Sequence, residues 1–160
     1  MATSPPFADT PLLLDNDVLT RWRNQNHQVV GAIKDYTRRL KSFPKLPSIT
    51  IFGAKWGIEK EAVKGRNTNP DLTQWREKVE EAVQTFGTLD FNREAASIAA
   101  YIFARLSQSQ RNQHWKDVFI AATALAHRYG VATQNRRDFE LISQYLPSHA
   151  PVLYLAIRKS

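Results

Sequence analysis

The first regular feature of the chain is a short apolar run that is followed directly by polar residues. Residues 11–14 include three consecutive leucines, which is typical of a buried parallel strand, and Asp15, Asn16 and Asp17 indicate a helix start. Apolar residues then recur at helical spacing as far as Leu40, with a break around residues 24–26. Four further apolar runs are predicted as short strands: residues 48–51, 88–91, 131–133 and 152–157.

The segments between these strands mostly show helical spacing. Predicted helices cover residues 52–63, 71–86, 92–106, a segment that starts at Asp117, and 139–145. The helix from Asp117 is apolar nearly all round, as buried helices are. Residues 65–70 and 107–115 are predicted as loops, and Pro147 as a turn. The order β-α-β-α-α-β-α-α-β-α-β predicts an α/β fold, a three-layer α/β/α domain with a central, mostly parallel sheet.

Composition narrows the class of protein. A chain of 160 residues favours one domain, which we place at residues 11–160 after a short disordered tail of residues 1–10. No cysteine is present and no segment is long and apolar enough to span a membrane, so we expect a cytoplasmic protein. The net charge of +7 favours a nucleic acid, an acidic protein or a membrane surface as partner.

Four polar side chains are predicted to meet at one edge of the sheet. Asp15 follows the first strand, Asn135 and Asp138 follow the strand at residues 131–133, and Asp117 heads the buried helix. In open α/β sheets ligands bind at the carboxyl ends of the strands, and Mg²⁺ or Mn²⁺ prefers carboxylate and amide oxygens. The pattern therefore predicts a metal site, although each of the three aspartates also suits a helix cap, and Asn135 a turn.

Cations flank the predicted acidic site. Arg111, Lys116, Arg136 and Arg137 lie near it in sequence, where they are expected to hold a nucleic-acid backbone phosphate. Three tryptophans are candidates for base stacking or for the core: Trp22, Trp56 and Trp115. No two histidines have zinc-ligand spacing, and no phosphate-binding glycine loop or serine triad motif is present, so surface or helix-end positions are expected for His27, His114, His127 and His149.

Four sequence blocks resemble PIN-domain proteins, and most closely the VapC toxins of type II toxin–antitoxin pairs. The blocks are LLLDNDVLT, SITIFGAKWGIEK, LDFNREAASIAA and KDVFIAATALAHRYGVATQNRRDF, in the family's order and spacing. The resemblance covers nearly the whole chain from about Leu12. It implies a metal-dependent endoribonuclease that uses Mg²⁺ or Mn²⁺, an RNA substrate, an antitoxin partner that blocks the site, and a homodimer.

The resemblance also assigns roles to individual residues. Asp15 matches the family's first acid, Asp117 its third, and Asn135 its fourth position, which implies that these three hold the metal and, with Asp138, form the catalytic site. Asp17 and Thr133 match supporting positions of the motif. An antitoxin is expected in a groove of the first helices, lined by Val18, Trp22, Ile33 and Trp56.

One position departs from the family pattern. Gly53 stands where the family's second acid, a glutamate, is expected, so the site lacks one carboxylate and weaker metal binding follows. Asp17, close to Asp15, is the candidate for a partial substitute. Two alternatives to a working nuclease stay open. One is a degenerate PIN module that binds RNA or antitoxin with little or no cleavage, and the other is a structural or regulatory partner in a protein complex whose acids are helix caps.

Overall fold

The centre of the fold is a parallel sheet. The computed structural model describes residues 10–64, 70–146 and 154–156. Strand β1 (Leu12–Leu14) pairs with β4 (Gly130–Thr133), and β4 pairs with β5 (Tyr154–Ala156). Strands β2 (Leu46–Pro47) and β3 (Thr88–Leu89) form a second parallel pair. An isolated parallel bridge between Leu13 of β1 and Lys45, the residue before β2, places the two sets of paired strands next to each other.

Helices connect these strands, and asparagine side chains cap some of them. Asn26 and Asn92 cap two of them, since each side-chain oxygen accepts a hydrogen bond from a backbone N–H three residues later, at 3.1 Å and 2.9 Å. The helices are α1 (Asn16–Arg23), α2 (His27–Leu40), α3 (Ser48–Val63), α4 (Pro70–Phe86), α5 (Arg93–Phe103), α6 (Gln108–His127) and α7 (Arg136–Ser143).

Alternate residues of the strands enter different hydrophobic clusters. Leu12 and Leu14 pack with α1, α2 and residues of α4, whereas Leu13 packs with α5, α6 and α7. Successive side chains of a strand point to opposite faces of a sheet, so a strand buried on both faces is apolar throughout. The predicted three-layer α/β/α fold is therefore confirmed, with both faces of the sheet covered.

The predicted strand at residues 48–51 is wrong. These residues form the first turn of α3, and the strand lies just before them at Leu46–Pro47. The β-branched run Ile49-Thr50-Ile51 favours a strand locally, but the buried Thr50 hydroxyl donates a 3.2 Å hydrogen bond to the Leu14 carbonyl. That contact packs the start of α3 against the end of β1.

The predicted loop at residues 107–115, and the helix start at Asp117, are also wrong. Helix α6 begins at Gln108, so Asp117 lies in its interior. Ser107 and Gln110 form a capping box: the Ser107 hydroxyl accepts from the Gln110 N–H at 3.1 Å, and the Gln110 side chain accepts from the Ser107 N–H at 2.9 Å. The polar sequence of this first part carries no apolar period, although the cap favours a helix. Asp117 is therefore not an N-cap.

The remaining boundaries differ from prediction by a few residues. Strand β3 ends at Leu89 instead of residue 91, and α5 ends at Phe103 instead of about residue 106. Outside the described residues lie positions 1–9 of the predicted tail (1–10), positions 65–69 of the predicted loop (65–70), the predicted turn at Pro147 and parts of the predicted last strand. Pro70, the last residue of the predicted loop, begins α4. Within the described ranges, none of the helices combines the length and apolarity needed to cross a bilayer.

Candidate metal centre

Asp15 is fixed at the carboxyl end of the sheet by the two neighbouring strands. It follows β1, and its backbone N–H donates to the Ala132 carbonyl of β4 at 3.0 Å. The Thr133 hydroxyl donates to Asp15 Oδ2 at 2.7 Å, and the Asn16 N–H donates to Oδ1 at 2.7 Å. Thr133 Oγ1 in turn accepts from the Asn135 N–H at 3.0 Å. Thr133 therefore ties the Asp15 carboxylate to the turn after β4.

Asp17 joins the same edge of the sheet. Its Oδ2 accepts from the Gln134 N–H at 3.0 Å. Among the residues that the structure describes, its other oxygen, Oδ1, is buried and has no hydrogen-bond partner. A buried carboxylate oxygen without a donor is costly. The site thus presents an oxygen that a cation would satisfy.

Asp117 reaches this edge from the middle of α6. Its Oδ2 lies 3.5 Å from His114 Nδ1, one turn earlier on the same helix. Asp138, in the first turn of α7, places Oδ1 3.8 Å from the same nitrogen. Asn135 Nδ2 donates to the other Asp138 oxygen, Oδ2. His114 is buried, so the expectation of a surface or helix-end position for it is wrong.

Burial and the negative charge of neighbouring acids disfavour ionisation of the carboxyl groups in this site. Burial, and then the charge of Asp17, raises the pKa of Asp15 to about 7, although the Thr133 hydrogen bond opposes the shift. Burial, and then the charge of Asp138, raises the pKa of Asp117 to about 6, against the lowering effect of His114. Burial also raises the pKa of Asp17. Acids held together in this way are typical of functional sites, and a cation would reverse the effect.

These acids line one cleft of about 290 Å³. Asp15, Asp17, Asp117 and Asn135 all contribute to its wall, so the structure brings together the three residues predicted to hold a metal. Asp138 lies beside the cleft, next to Asp117. Hard oxygen donors from three separate elements suit Mg²⁺ or Mn²⁺. Together with the unpartnered oxygen of Asp17, this donor set fits a divalent cation.

Gly53 lines the cleft opposite Asn16. A Cβ added at Gly53 would meet the Asn16 side chain, with its nearest atom, Nδ2, at 3.6 Å, which is ordinary van der Waals contact. No close backbone contact or positive φ requires glycine at this position. A lack of space therefore does not explain why position 53 has no carboxylate.

The four predicted RNA-binding cations lie in different environments. Lys116 lines the cleft beside Asp117. The Arg111 guanidinium donates to the carbonyls of Phe103 and Leu106, at 3.2 and 2.5 Å, which holds the end of α5. Arg136 pairs with Glu140 at 2.7 Å, and Arg137 is exposed on α7. Of the four, Lys116 alone is a lining residue of the cleft.

Aromatic side chains continue the surface beside Lys116. Phe52 stacks on Trp56, with ring centroids 5.8 Å apart, and contacts Trp115 edge-on at 6.0 Å. Phe52 and Trp56 are 46% and 43% exposed, which is unusual for large apolar side chains. Lys116 Nζ lies 4.8 Å from the centre of the Trp56 ring. We call Phe52, Trp56, Trp115 and Lys116 the aromatic–lysine patch.

The predicted antitoxin groove does not exist as a surface. Val18 and Ile33 are buried in the core between the sheet and the first helices, and Trp22 packs edge-on against Phe86. Only Trp56 of the four predicted residues is exposed. The helical spacing of apolar residues correctly predicted an apolar face on the first helices, but that face packs against the sheet and is not available to an antitoxin.

The sequence missed two members of the site region. Phe52 was predicted only as the first residue of a helix, and nothing in its sequence context distinguishes it from a core aromatic residue. His114 was missed because its segment was predicted as a loop. On a helix, residues three apart share one face, so His114 and Asp117 form a pair that the Ser107 cap made predictable.

Comparison with solved structures identifies the fold as that of VapC-type PIN domains. The chain matches a chain of DNA-bound VapBC from Salmonella typhimurium with a TM-score of 0.68 and 20% identity, over 92% of this chain and 99% of that one. It matches FitAcB from Neisseria gonorrhoeae with a TM-score of 0.63 and 23% identity, over 90% and 96%. The toxin–antitoxin protein VapBC-5 from Mycobacterium tuberculosis gives 0.61 and 22%, over 92% and 99%. No protein-family model and no curated protein matches the sequence.

Proposed function

We propose that this protein is a VapC-like endoribonuclease that depends on Mg²⁺ or Mn²⁺ and is neutralised by an antitoxin. One observation carries the proposal: Asp15, Asp17, Asp117 and Asn135 converge from three elements on one cleft at the carboxyl edge of a parallel sheet. Structural neighbours whose crystal structures are toxin–antitoxin complexes share the fold. An acidic cleft in a chain of net charge +7 is consistent with a metal that faces an anionic substrate.

Asp15, Asp117 and Asn135 would hold the cation, and Asp17 would contribute its free Oδ1. When bound, a divalent cation supplies a water of lowered pKa and stabilises charge on a phosphodiester. Thr133 holds Asp15 in place through its 2.7 Å hydrogen bond. Lys116, at the wall of the cleft, would bind a backbone phosphate of the RNA beside the acids.

The protein partners belong to the same proposal. One of the matched solved structures is a toxin–antitoxin complex from Klebsiella pneumoniae, VapBC-5 belongs to a family of toxin–antitoxin systems, and two VapBC structures contain DNA. An antitoxin that covers the acidic cleft would inhibit this chain by excluding RNA. A homodimer, as implied by the family, is the expected assembly of the free toxin.

The direct test measures cleavage of total RNA by the purified chain, free of any antitoxin, with Mg²⁺ or Mn²⁺ and with EDTA. Cleavage should require the metal and should be lost in an Asp15→Ala/Asp117→Ala variant. Asp35→Ala is the matched control, because Asp35 is an acid on α2 that pairs with Arg38 and Arg39 away from the cleft. Equal cleavage by the double variant would refute the proposed site.

Gly53 favours a second candidate, a PIN module that binds RNA or antitoxin without cutting. The position lines the cleft and accepts a side chain, yet it carries no carboxylate. Under this alternative, RNA binds to the wild-type chain but stays intact with either metal. Cleavage that appears only after Gly53→Glu would establish it.

A further inference from the structure

His114 is a buried base that the proposed nuclease site does not use. It is 6% exposed and lies on α6, three residues before Asp117. Residues at i and i+3 share one face of a helix, and pairs of an imidazole and a carboxylate at this spacing bind metals in helical proteins. Asp138 approaches the same imidazole from α7.

The three side chains offer one donor set. His114 Nδ1 lies 3.5 Å from Asp117 Oδ2 and 3.8 Å from Asp138 Oδ1, and one ligand atom of each residue lies within 4.8 Å of the others. Both separations exceed the 2.7–3.2 Å of a normal N–H···O hydrogen bond. A tetrahedral ion with bonds of about 2.0–2.1 Å separates neighbouring ligand atoms by about 3.4 Å. The spacing is therefore close to that of ligands around one ion.

The surroundings orient these donors. Asn135 donates to Oδ2 of Asp138, so Oδ1 is the oxygen directed to His114. Such a hydrogen bond to the second oxygen of a ligating carboxylate is a common support in metal sites. Asp117 and Asp138 are 20% and 26% exposed, which leaves an approach from solvent and room for water ligands.

We propose that His114, Asp117 and Asp138 form a second metal position, beside the acidic cleft and sharing Asp117 with it, which selects Zn²⁺ or Co²⁺ over Mg²⁺. A neutral imidazole and two carboxylates balance the charge of a dication. Nitrogen ligands favour these transition metals, whereas Mg²⁺ prefers an all-oxygen shell. His114 and Asp138 are not among the residues that line the cleft, whereas Gly53 is.

The test measures metal binding by calorimetry and by the visible absorption of bound Co²⁺, both without RNA. The wild-type chain should bind Zn²⁺ and Co²⁺ at least tenfold more tightly than Mg²⁺. His114→Asn, which keeps a polar group near the position of Nδ1, should weaken Zn²⁺ and Co²⁺ binding about 100-fold, since even outer partners of ligands contribute 10–100-fold. Binding of Mg²⁺ in the cleft should change little.

His127→Asn is the matched control. His127 lies on the same helix, and its Nε2 contacts the Asp90 carbonyl at 3.0 Å. This variant should bind Zn²⁺ and Co²⁺ as the wild type does. Thermal unfolding in EDTA checks that both variants fold. Equal loss in both variants, unchanged binding in His114→Asn, or equal affinity of the wild type for Mg²⁺ and Zn²⁺ would overturn the second position.

The outcome is separable from the proposed nuclease activity. Binding of Co²⁺ that depends on His114, without any RNA cleavage, would support the metal position and reject the nuclease. Cleavage with Mg²⁺ by a chain whose metal binding ignores His114 would do the reverse. Asp15→Asn separates the two sites further, because it removes a cleft acid and should leave the Co²⁺ absorption in place.

Discussion

At the scale of single residues, Gly53 determines how much negative charge the cleft presents to a cation. Three aspartates and Asn135 line the cleft, while the wall that α3 provides carries no acid. A Cβ at this position lies at an ordinary contact distance from Asn16. Space is therefore present for a longer side chain that points into the cleft.

Gly53→Glu should increase the affinity for Mg²⁺ by about tenfold, because metal affinity rises with the number of charged ligands. Titration calorimetry measures the change, and RNA cleavage should increase with it. Gly57→Glu is the control: Gly57 lies one turn later on α3, its Cβ position is open, and it does not line the cleft. An equal gain in both variants would indicate general charge attraction and would contradict a ligand role at position 53.

The buried acids predict an unusual dependence of stability on pH. Asp15 and Asp117 have folded-state pKa values of about 7 and about 6, above the ordinary value of 3.8. Between pH 4 and pH 7 the folded state therefore binds more protons than the unfolded state, and these groups make the free energy of unfolding fall as pH rises. At lower pH both states are protonated and the penalty vanishes.

Asp117→Asn should remove part of this slope. In EDTA at pH 7.5, the variant should be more stable than the wild type by on the order of 2 kcal/mol, because no buried charge has to form. Urea unfolding at pH 5 and pH 7.5 tests this, and the two proteins should converge at low pH. Added Mn²⁺ should stabilise the wild type more than the variant. A less stable variant in EDTA at pH 7.5 would contradict the cost assigned to ionised Asp117.

At the scale of elements, a segment of this chain is predictable from sequence where its local pattern and its tertiary packing favour the same structure. Strands β1 and β4 were predictable because both faces of the sheet are covered and their residues are apolar throughout. The meeting of Asp15 with Asn135 followed from that, since parallel strands end at the same edge. The strand predicted at residues 48–51 was wrong because the contact of Thr50 with Leu14 favours a helix there, against the β preference of Ile49 and Ile51.

Helix α6 shows the opposite limit. Its first half is polar and its second half is buried, so no single period runs along all 20 residues. The local capping signal at Ser107 was the correct guide, and the absence of apolar spacing was misleading. The position of His114 in the candidate metal centre became visible only with the full helix.

Ser107→Ala should lower the free energy of unfolding by about 1 kcal/mol, because it leaves the Gln110 N–H without its acceptor. Ser109→Ala is the control, since Ser109 is exposed in the same turn of α6 and is not the cap. Urea unfolding in EDTA compares the three proteins. Equal stability of Ser107→Ala and the wild type would show that the first turn of α6 does not depend on the capping box.

At the scale of the whole molecule, charge is distributed unevenly. The chain carries a net charge of +7, yet its cleft is acidic. The proposed RNA substrate would therefore be attracted by cations outside the cleft, while the cleft acids would bind the proposed metal. The aromatic–lysine patch lies where this transition occurs, because Trp115 and Lys116 belong both to the patch and to the wall of the cleft.

Such a patch suits an unpaired strand better than a duplex. Exposed aromatic rings can stack on unpaired bases, whereas the bases of a duplex are already stacked and paired. The ammonium group of Lys116 can neutralise a backbone phosphate. Lys60 Nζ also lies 4.8 Å from the centre of the Trp56 ring, so a second cation lies beside the ring on which a base would stack. The RNA that enters the proposed active site should therefore be single-stranded at the point of entry.

Trp56→Ala should weaken binding of a short single-stranded oligoribonucleotide by about tenfold, which is the lower part of the 1–3 kcal/mol range for one stacked base. Fluorescence anisotropy in EDTA measures binding while cleavage is blocked. Lys116→Gln should weaken it too and reduce its salt dependence, whereas Lys34→Gln, an exposed lysine on α2 that does not line the cleft, should not. Duplex RNA should bind the wild type and Trp56→Ala alike. If single strands also bind both proteins equally, the exposed rings must serve a protein contact, and competition with an antitoxin becomes the informative measurement.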